Sequence, residues 1–181
     1  MLTIHIKGCE QFNQVTGKFF EVKSADLTLE HSLVSISKWE AKYHKPFISK
    51  EPKTQIEIID YIKCMTLTQN VDPNVYNLLT EEHINAINKY IADPMTATWF
   101  NETESKGKKS SEQITSELIY YWMVAFNINW EAKKWHLNRL LTLIRICNIK
   151  NQPPKKMSKR EVMARNAKLN AERLKKLGTS G

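Results

Sequence analysis

Three cysteines and five histidines are the residues of this chain best suited to holding a metal ion, and their spacing argues against that use. Structural zinc sites draw ligands from short repeats such as C-x₂-C or H-x₃₋₅-H. Cys9, Cys64 and Cys147 are instead scattered, and neither repeat occurs among them and His5, His31, His44, His83 and His136. Phosphate-binding loops need closely spaced glycines so that backbone amides can approach an anion. Here the five glycines are far apart, except for Gly178 and Gly181 at the end. No G-x-S-x-G elbow is present, and Glu30-His31 and Asp60-Tyr61 are polar neighbours of a kind found in many soluble proteins. The expectation is a protein without catalytic residues, metal or cofactor.

What remains is chemistry of recognition. Aromatic side chains bury large areas, so those at helical spacing belong mostly to the core, yet Trp and Tyr also anchor protein interfaces. Trp122 and Trp130 are assigned to the core. Trp39, set beside Lys38, Glu40 and Lys42, and Trp135, set beside Lys134 and His136, are candidates for contact with a partner. A second candidate surface is electrostatic. The formal charge of +8 lies wholly in residues 150–181, which hold ten Lys/Arg against two Asp/Glu; the rest of the chain is balanced. Lys155, Lys156, Arg160, Arg165, Lys168 and Arg173 would carry this arm's contacts, the alternative for such a charge run being a simply solvated tail. It has no interleaved aromatics, so stacking on single-stranded nucleic acid is not supported.

These residues must be positioned by elements, and the elements can be read from periodicity. Leu2, Ile4 and Ile6 alternate with Thr3, His5 and Lys7, the pattern of a half-buried strand. A turn around Thr16-Gly17 precedes two further short strands, Phe19–Val22 and Leu27–Leu29. From Ser32, a plausible N-cap, the spacing becomes helical with Leu33, Ile36, Trp39 and Tyr43 on one face. Thr54 and Glu57 form a capping box, Val71-Asp72-Pro73 restarts the chain, and Thr80 opens a helix that Asp93-Pro94 stops. Residues 101–111 hold no apolar side chain and read as a loop or as the boundary between two helical halves. Ser110 and Gln113 suggest another capping box, opening a helix to Phe126 that is apolar almost all round and should lie centrally. A long helix carrying Trp130, Leu137, Leu140, Leu141, Ile144 and Cys147 follows. Pro153-Pro154 breaks the chain, and a box at Ser158–Glu161 opens a basic helix ending at Gly178. The predicted class is α+β and mainly helical: strands over 1–30, a helical body over 31–149 and a basic arm over 150–181.

The N-terminus lacks the pattern of a signal peptide, and the longest apolar run, Leu118–Phe126, is far short of the ~20 residues that cross a bilayer. Scattered cysteines in odd number fit a reducing compartment.

Several blocks are similar to a known family. Leu29–Glu40 with Lys45-Pro46-Phe47, Asp60–Thr66, Gln69–Pro73, Pro94–Phe100, Lys134–Leu141 and the basic end from Pro153 resemble the tail assembly chaperones of long-tailed bacteriophages. The likeness runs from about residue 2 to 181 and is weakest over 101–111. It implies a non-catalytic protein of the host cytoplasm that binds the tape measure protein and assists assembly of the tail tube around it. The tail tube protein and self-association are further partners this resemblance leaves open, and it supplies no catalytic or ligand residues. Two other readings stay open: a nucleic-acid-binding protein acting through the arm, and a structural neck or connector subunit of the virion.

Overall fold

The computed structural model describes residues 1–13, 17–100, 113–152 and 159–178. It is an α+β, mainly helical structure with a small N-terminal antiparallel sheet. Strands β1 (Leu2–Ile6), β2 (Cys9–Asn13), β3 (Lys18–Val22) and β4 (Ala25–Leu29) lead, among the described residues, into six α-helices. These are α1 (Leu33–Tyr43), α2 (Gln55–Met65), α3 (Glu81–Ala92), α4 (Ser116–Ala125), α5 (Leu137–Asn151) and α6 (Lys159–Leu177). The 3₁₀ segments Pro73–Leu78 and Trp130–Lys134 precede α3 and α5. The chain divides into two compact units, Met1–Asn148 and Ile149–Gly181.

β1 pairs with β4 and β2 with β3, and both ladders keep one register, from Leu2–Leu29 to Ile6–Ala25 and then from Cys9–Val22 to Asn13–Lys18. They form one hairpin interrupted at Lys7-Gly8 and Lys23-Ser24. There the two backbones approach closely: a Cβ on Gly8 would stand 2.3 Å from the Val22 carbonyl oxygen and 2.6 Å from the Ser24 nitrogen. Gly17 takes φ +63° near the tip, as its lack of a Cβ permits. Strand β2 was not legible in the sequence, because Cys9-Glu10-Gln11-Phe12-Asn13 carries no row of apolar residues. Alternation holds elsewhere: Ile4, Ile6, Val22, Leu27 and Leu29 are buried, while Thr3 and His5 face out.

The caps set the helical starts. Ser32, Thr54 and Thr80 each accept from the amide three residues on, and each belongs to a reciprocal capping box. Such a cap satisfies otherwise orphaned amides and contributes about 1 kcal/mol. α1 stops at His44, in the left-handed region with φ 52°, two residues before Pro46. α4 starts from Thr115. The expected box at Ser110 and Gln113, the loop over 101–111, the Pro153-Pro154 break and the box opening at Ser158 fall wholly or partly outside the described residues.

The core joins the sheet to the helices. Leu27, Leu29, Leu33, Ile36, Trp39, Ile62, Met65, Ile119, Met123 and Leu140 are fully buried, each large side chain contributing roughly 1.5–3 kcal/mol. A polar thread runs through it. His31 Nδ1 lies 2.5 Å from the Tyr61 hydroxyl, and the His31 and His136 rings meet edge to face at 5.1 Å. His136 Nε2 lies 3.0 Å from the Tyr90 carbonyl oxygen, and the Tyr90 hydroxyl donates to Glu30 at 2.8 Å. The backbone is tied at the same place: Glu30 N donates to Met65 O, and Leu137 N to His31 O. Asp60 accepts from Lys42, then Tyr43 and Lys63, which hold its carboxyl down at about 2 despite its burial. No buried side-chain nitrogen or oxygen among the described residues lacks a partner.

Two helical expectations need correction. The long helix expected from Trp130 is divided: the 3₁₀ turn ends at Lys134, and Trp135-His136 is extended, with His136 bridging to Ser32, before α5 begins. The helix expected to lie centrally, α4, buries only one face, through Ser116, Ile119 and Met123.

Candidate partner-binding surface

The exposed side of α4 follows from that half-burial. Glu40, buried on α1, accepts from the Ser116 amide at 2.8 Å and from Phe47 N at 2.7 Å, fixing the start of α4 against α1. Ile119 and Met123 then point inward, one turn apart. With an apolar sequence all round, the opposite side is left in solvent, with Tyr121 65% and Val124 68% exposed. Asn127, at φ 51°, turns the chain, and Ile128 N returns to Met123 O at 2.8 Å.

Beside this face lies a hollow of about 320 Å³ between α4 and α5, lined by Trp122, Phe126, Leu141, Ile144, Arg145 and Asn148. Its one charged group is Arg145, whose guanidinium sits 4.0 Å above the Phe100 ring. Trp130 is 47% exposed, stacked on Tyr120 at 5.2 Å with Lys133 over its ring. Its assignment to the core is therefore corrected; it stands at the first position of a 3₁₀ turn, not on an inward helical stripe. Trp122 is half-buried.

Of the two tryptophans expected to face a partner, the structure separates one from the other. Trp39 is 0% exposed, so it cannot anchor a partner, and that expectation is corrected. Its indole N–H donates to the Glu57 carbonyl at 3.0 Å, and Tyr43 and Phe47 pack on its ring at 4.7 and 5.1 Å. Lys38 and Glu40 misled because sequence neighbours lie about 100° apart around a helix, so polar residues at i±1 say little about position i. Trp135 is 38% exposed, with the Arg139 guanidinium 4.5 Å over its ring. It borders a hollow of about 270 Å³ together with Met1, Glu30, Tyr90 and Met95.

In the second unit, α6 is exposed along its whole length. Arg160, Arg165, Lys168 and Arg173 lie on it, and Gly178 follows at φ 63°. Lys155 and Lys156 lie outside the described residues. Its apolar side chains, including Met163 and Leu177, are also exposed.

The buried groups have a different character. His31, Tyr61, His136 and Glu30 are closed off, His31 meeting the Tyr61 hydroxyl, His136 the Tyr90 carbonyl and Glu30 the Tyr90 hydroxyl, and burial, then the nearby His136, holds the His31 imidazole down at about 4. A neutral imidazole here ties β4 to α2. No group of three or more His, Cys, Asp or Glu able to hold a metal occurs among the described residues. Among the described residues, too, no helix is long and apolar enough to cross a membrane. The exposed apolar face of α4 is what sequence reasoning missed; a helix start fixed by Glu40 decides which side is buried, and no local pattern reveals that.

Compared with known proteins, the chain matches no family model, no curated protein and no solved structure.

Proposed function

We propose that this protein is a non-catalytic assembly chaperone that holds a helical partner on the α4–α5 face, in the manner of the phage tail assembly chaperones its sequence resembles. The observation that carries the reading is the pairing of exposed Tyr121 and Val124 with the apolar hollow beside them. An amphipathic helix lays apolar anchors at i, i+3, i+4 and i+7 into such a groove. Arg145 at the rim favours a partner with an acidic residue beside its anchors. The partner proposed is the tape measure protein, a long, largely helical chain whose apolar stripes need cover until the tail tube encloses it, and the compartment is the host cytoplasm.

Two of the blocks that carry the resemblance end on this kind of surface. Pro94–Phe100 contains Trp99, which is exposed, and Phe100, which stacks on Arg145; Lys134–Leu141 contains Trp135 and Leu141. The basic α6 serves as a steering arm: a field of one sign raises encounter rates with acidic partners, within a screening length of about 8 Å at physiological salt.

The test is co-expression with segments of the tape measure protein, identified as a much longer reading frame beside the gene. Retention of a helical segment on the tagged chaperone, with its solubility restored, supports the reading. Steep salt-dependent DNA binding lost with α6 would favour a nucleic-acid-binding protein instead, and a stoichiometric place in purified virions would favour a neck or connector subunit.

A further inference from the structure

A second hollow, of about 260 Å³, lies between α2 and α3. Ile58 and Ile62 line it from α2, Ile84, Ile87 and Ile91 from α3, and Lys53 stands in its wall just before α2 begins. Ile62 and Ile87 are buried, whereas Ile58 is part exposed, so the hollow has an apolar floor and an open rim.

Lys53 distinguishes this place from an ordinary gap between helices. Its ammonium donates to the Phe47 carbonyl at 2.8 Å and lies 4.4 Å from the centre of the Phe47 ring. Lys42 and Lys63 pair with Asp60, Lys45 with Glu57 and Lys134 with Glu131, but among the described residues no carboxylate lies within ion-pair distance of Lys53. Burial and the neighbouring Lys45 hold its ammonium below the usual lysine range, with Glu57 acting the other way. An ammonium has three donors, and a partly desolvated one without a counter-ion carries a cost that an incoming anion would remove.

We propose that this hollow is the docking site of an amphipathic helix from a protein partner, with apolar anchors among the isoleucines and an adjacent carboxylate on Lys53. The size favours side chains presented by a larger molecule, since sites that enclose a whole small ligand run to roughly 300–1,000 Å³. The charge selects the helix. Apolar side chains alone would leave Lys53 without a paired carboxylate, and a basic helix would add to the cost of its burial. The surface is separate from the α4–α5 face and does not depend on the identity of the partner there, so one protein would grip two stretches of a long chain, or two turns of a bent one.

The test uses the full chain and two synthetic helical peptides with leucines at i, i+4 and i+7, differing at one flanking position, Glu in one and Gln in the other. Fluorescence anisotropy should show the Glu peptide binding about tenfold more tightly or better, the size expected of a charge-assisted hydrogen bond. That preference should vanish in Lys53→Met and persist in Lys53→Arg. Ile58→Glu, at a part-exposed position that keeps the fold, should weaken both peptides at least tenfold, while Val124→Glu changes neither. Equal affinity for the two peptides overturns the proposal, as does binding that Val124→Glu abolishes and Ile58→Glu leaves intact, which would place the peptides on the α4–α5 face. Full competition by octanoate at concentrations matching the peptide's affinity would overturn it in favour of a small carboxylate. A self-association in sedimentation that Ile58→Glu dissolves would do so in favour of a second copy. If the peptide results hold and tape measure segments still fail to bind, the docking site stands and the proposed partner falls.

Discussion

Acid should weaken the fold through one residue, His31. Its imidazole is buried between Tyr61 and His136 and titrates at about 4, against an ordinary 6.5 in the unfolded chain. Between those values the unfolded state holds the extra proton and the folded state does not, so stability falls as pH drops. It is complete above about pH 6.5, declines through the window and reaches its full loss near pH 4. The 2.5-unit difference, at about 1.4 kcal/mol per unit, sets the loss at roughly 3 kcal/mol. Asp60 responds in a separate, lower window, between its ordinary 3.8 and about 2, so the two do not overlap above pH 4. The assay is urea unfolding followed by tryptophan fluorescence at several pH values from 7 to 4.5, for the wild type and for His31→Gln. The variant should be less stable at pH 7, having lost the fit to Tyr61, but its stability should vary much less with pH. Parallel pH profiles for the two proteins would refute the argument, since they would show that the acid sensitivity lies elsewhere.

Trp39→Ala should destabilise the fold by about 3–5 kcal/mol, as large-to-small changes at filled core sites do, and any loss of partner binding should track the loss of folded protein in thermal melts. Gly8→Ala should cost roughly 1–3 kcal/mol in the same melts, because the new methyl group would stand against the Val22 carbonyl and Ser24 nitrogen. Removing residues 155–181 should leave the body folded with little change in Tm, because among the described residues no buried hydrophobic one lies beyond Ile144. The truncated protein should bind an acidic partner more slowly and with weaker salt dependence in stopped-flow measurements.

The sequence was most informative where one local rule decides the outcome. Ser32, Thr54 and Thr80 start helices because a hydroxyl three residues before an amide is sufficient, and Leu27 and Leu29 alternate because a strand has period two. It was least informative where the outcome depends on distant residues. Which side of α4 is buried depends on Glu40, 76 residues earlier, gripping the Ser116 amide. Trp39 looked accessible beside its charged neighbours, yet Lys38 turns away around α1 and Glu40 is itself buried. Trp130 looked apolar enough for a core stripe, but the chain becomes extended over Trp135-His136, where His136 pairs with Ser32, which breaks the stripe. The α2–α3 hollow was hidden for the same reason: Lys53, Ile58 and Ile84 are brought together only by the packing of two helices.

The central claim is that the exposed α4 face holds a helical partner, and Val124→Glu tests it most directly. Val124 is 68% exposed, so a charge there should change Tm little, while it places an unpaired carboxylate against any apolar helix seated on that face. Co-expressed with a tape measure segment, the wild-type chain should retain the segment on affinity resin and Val124→Glu should lose it, the two chaperones melting at the same temperature. Equal recovery of the segment by both would contradict the account.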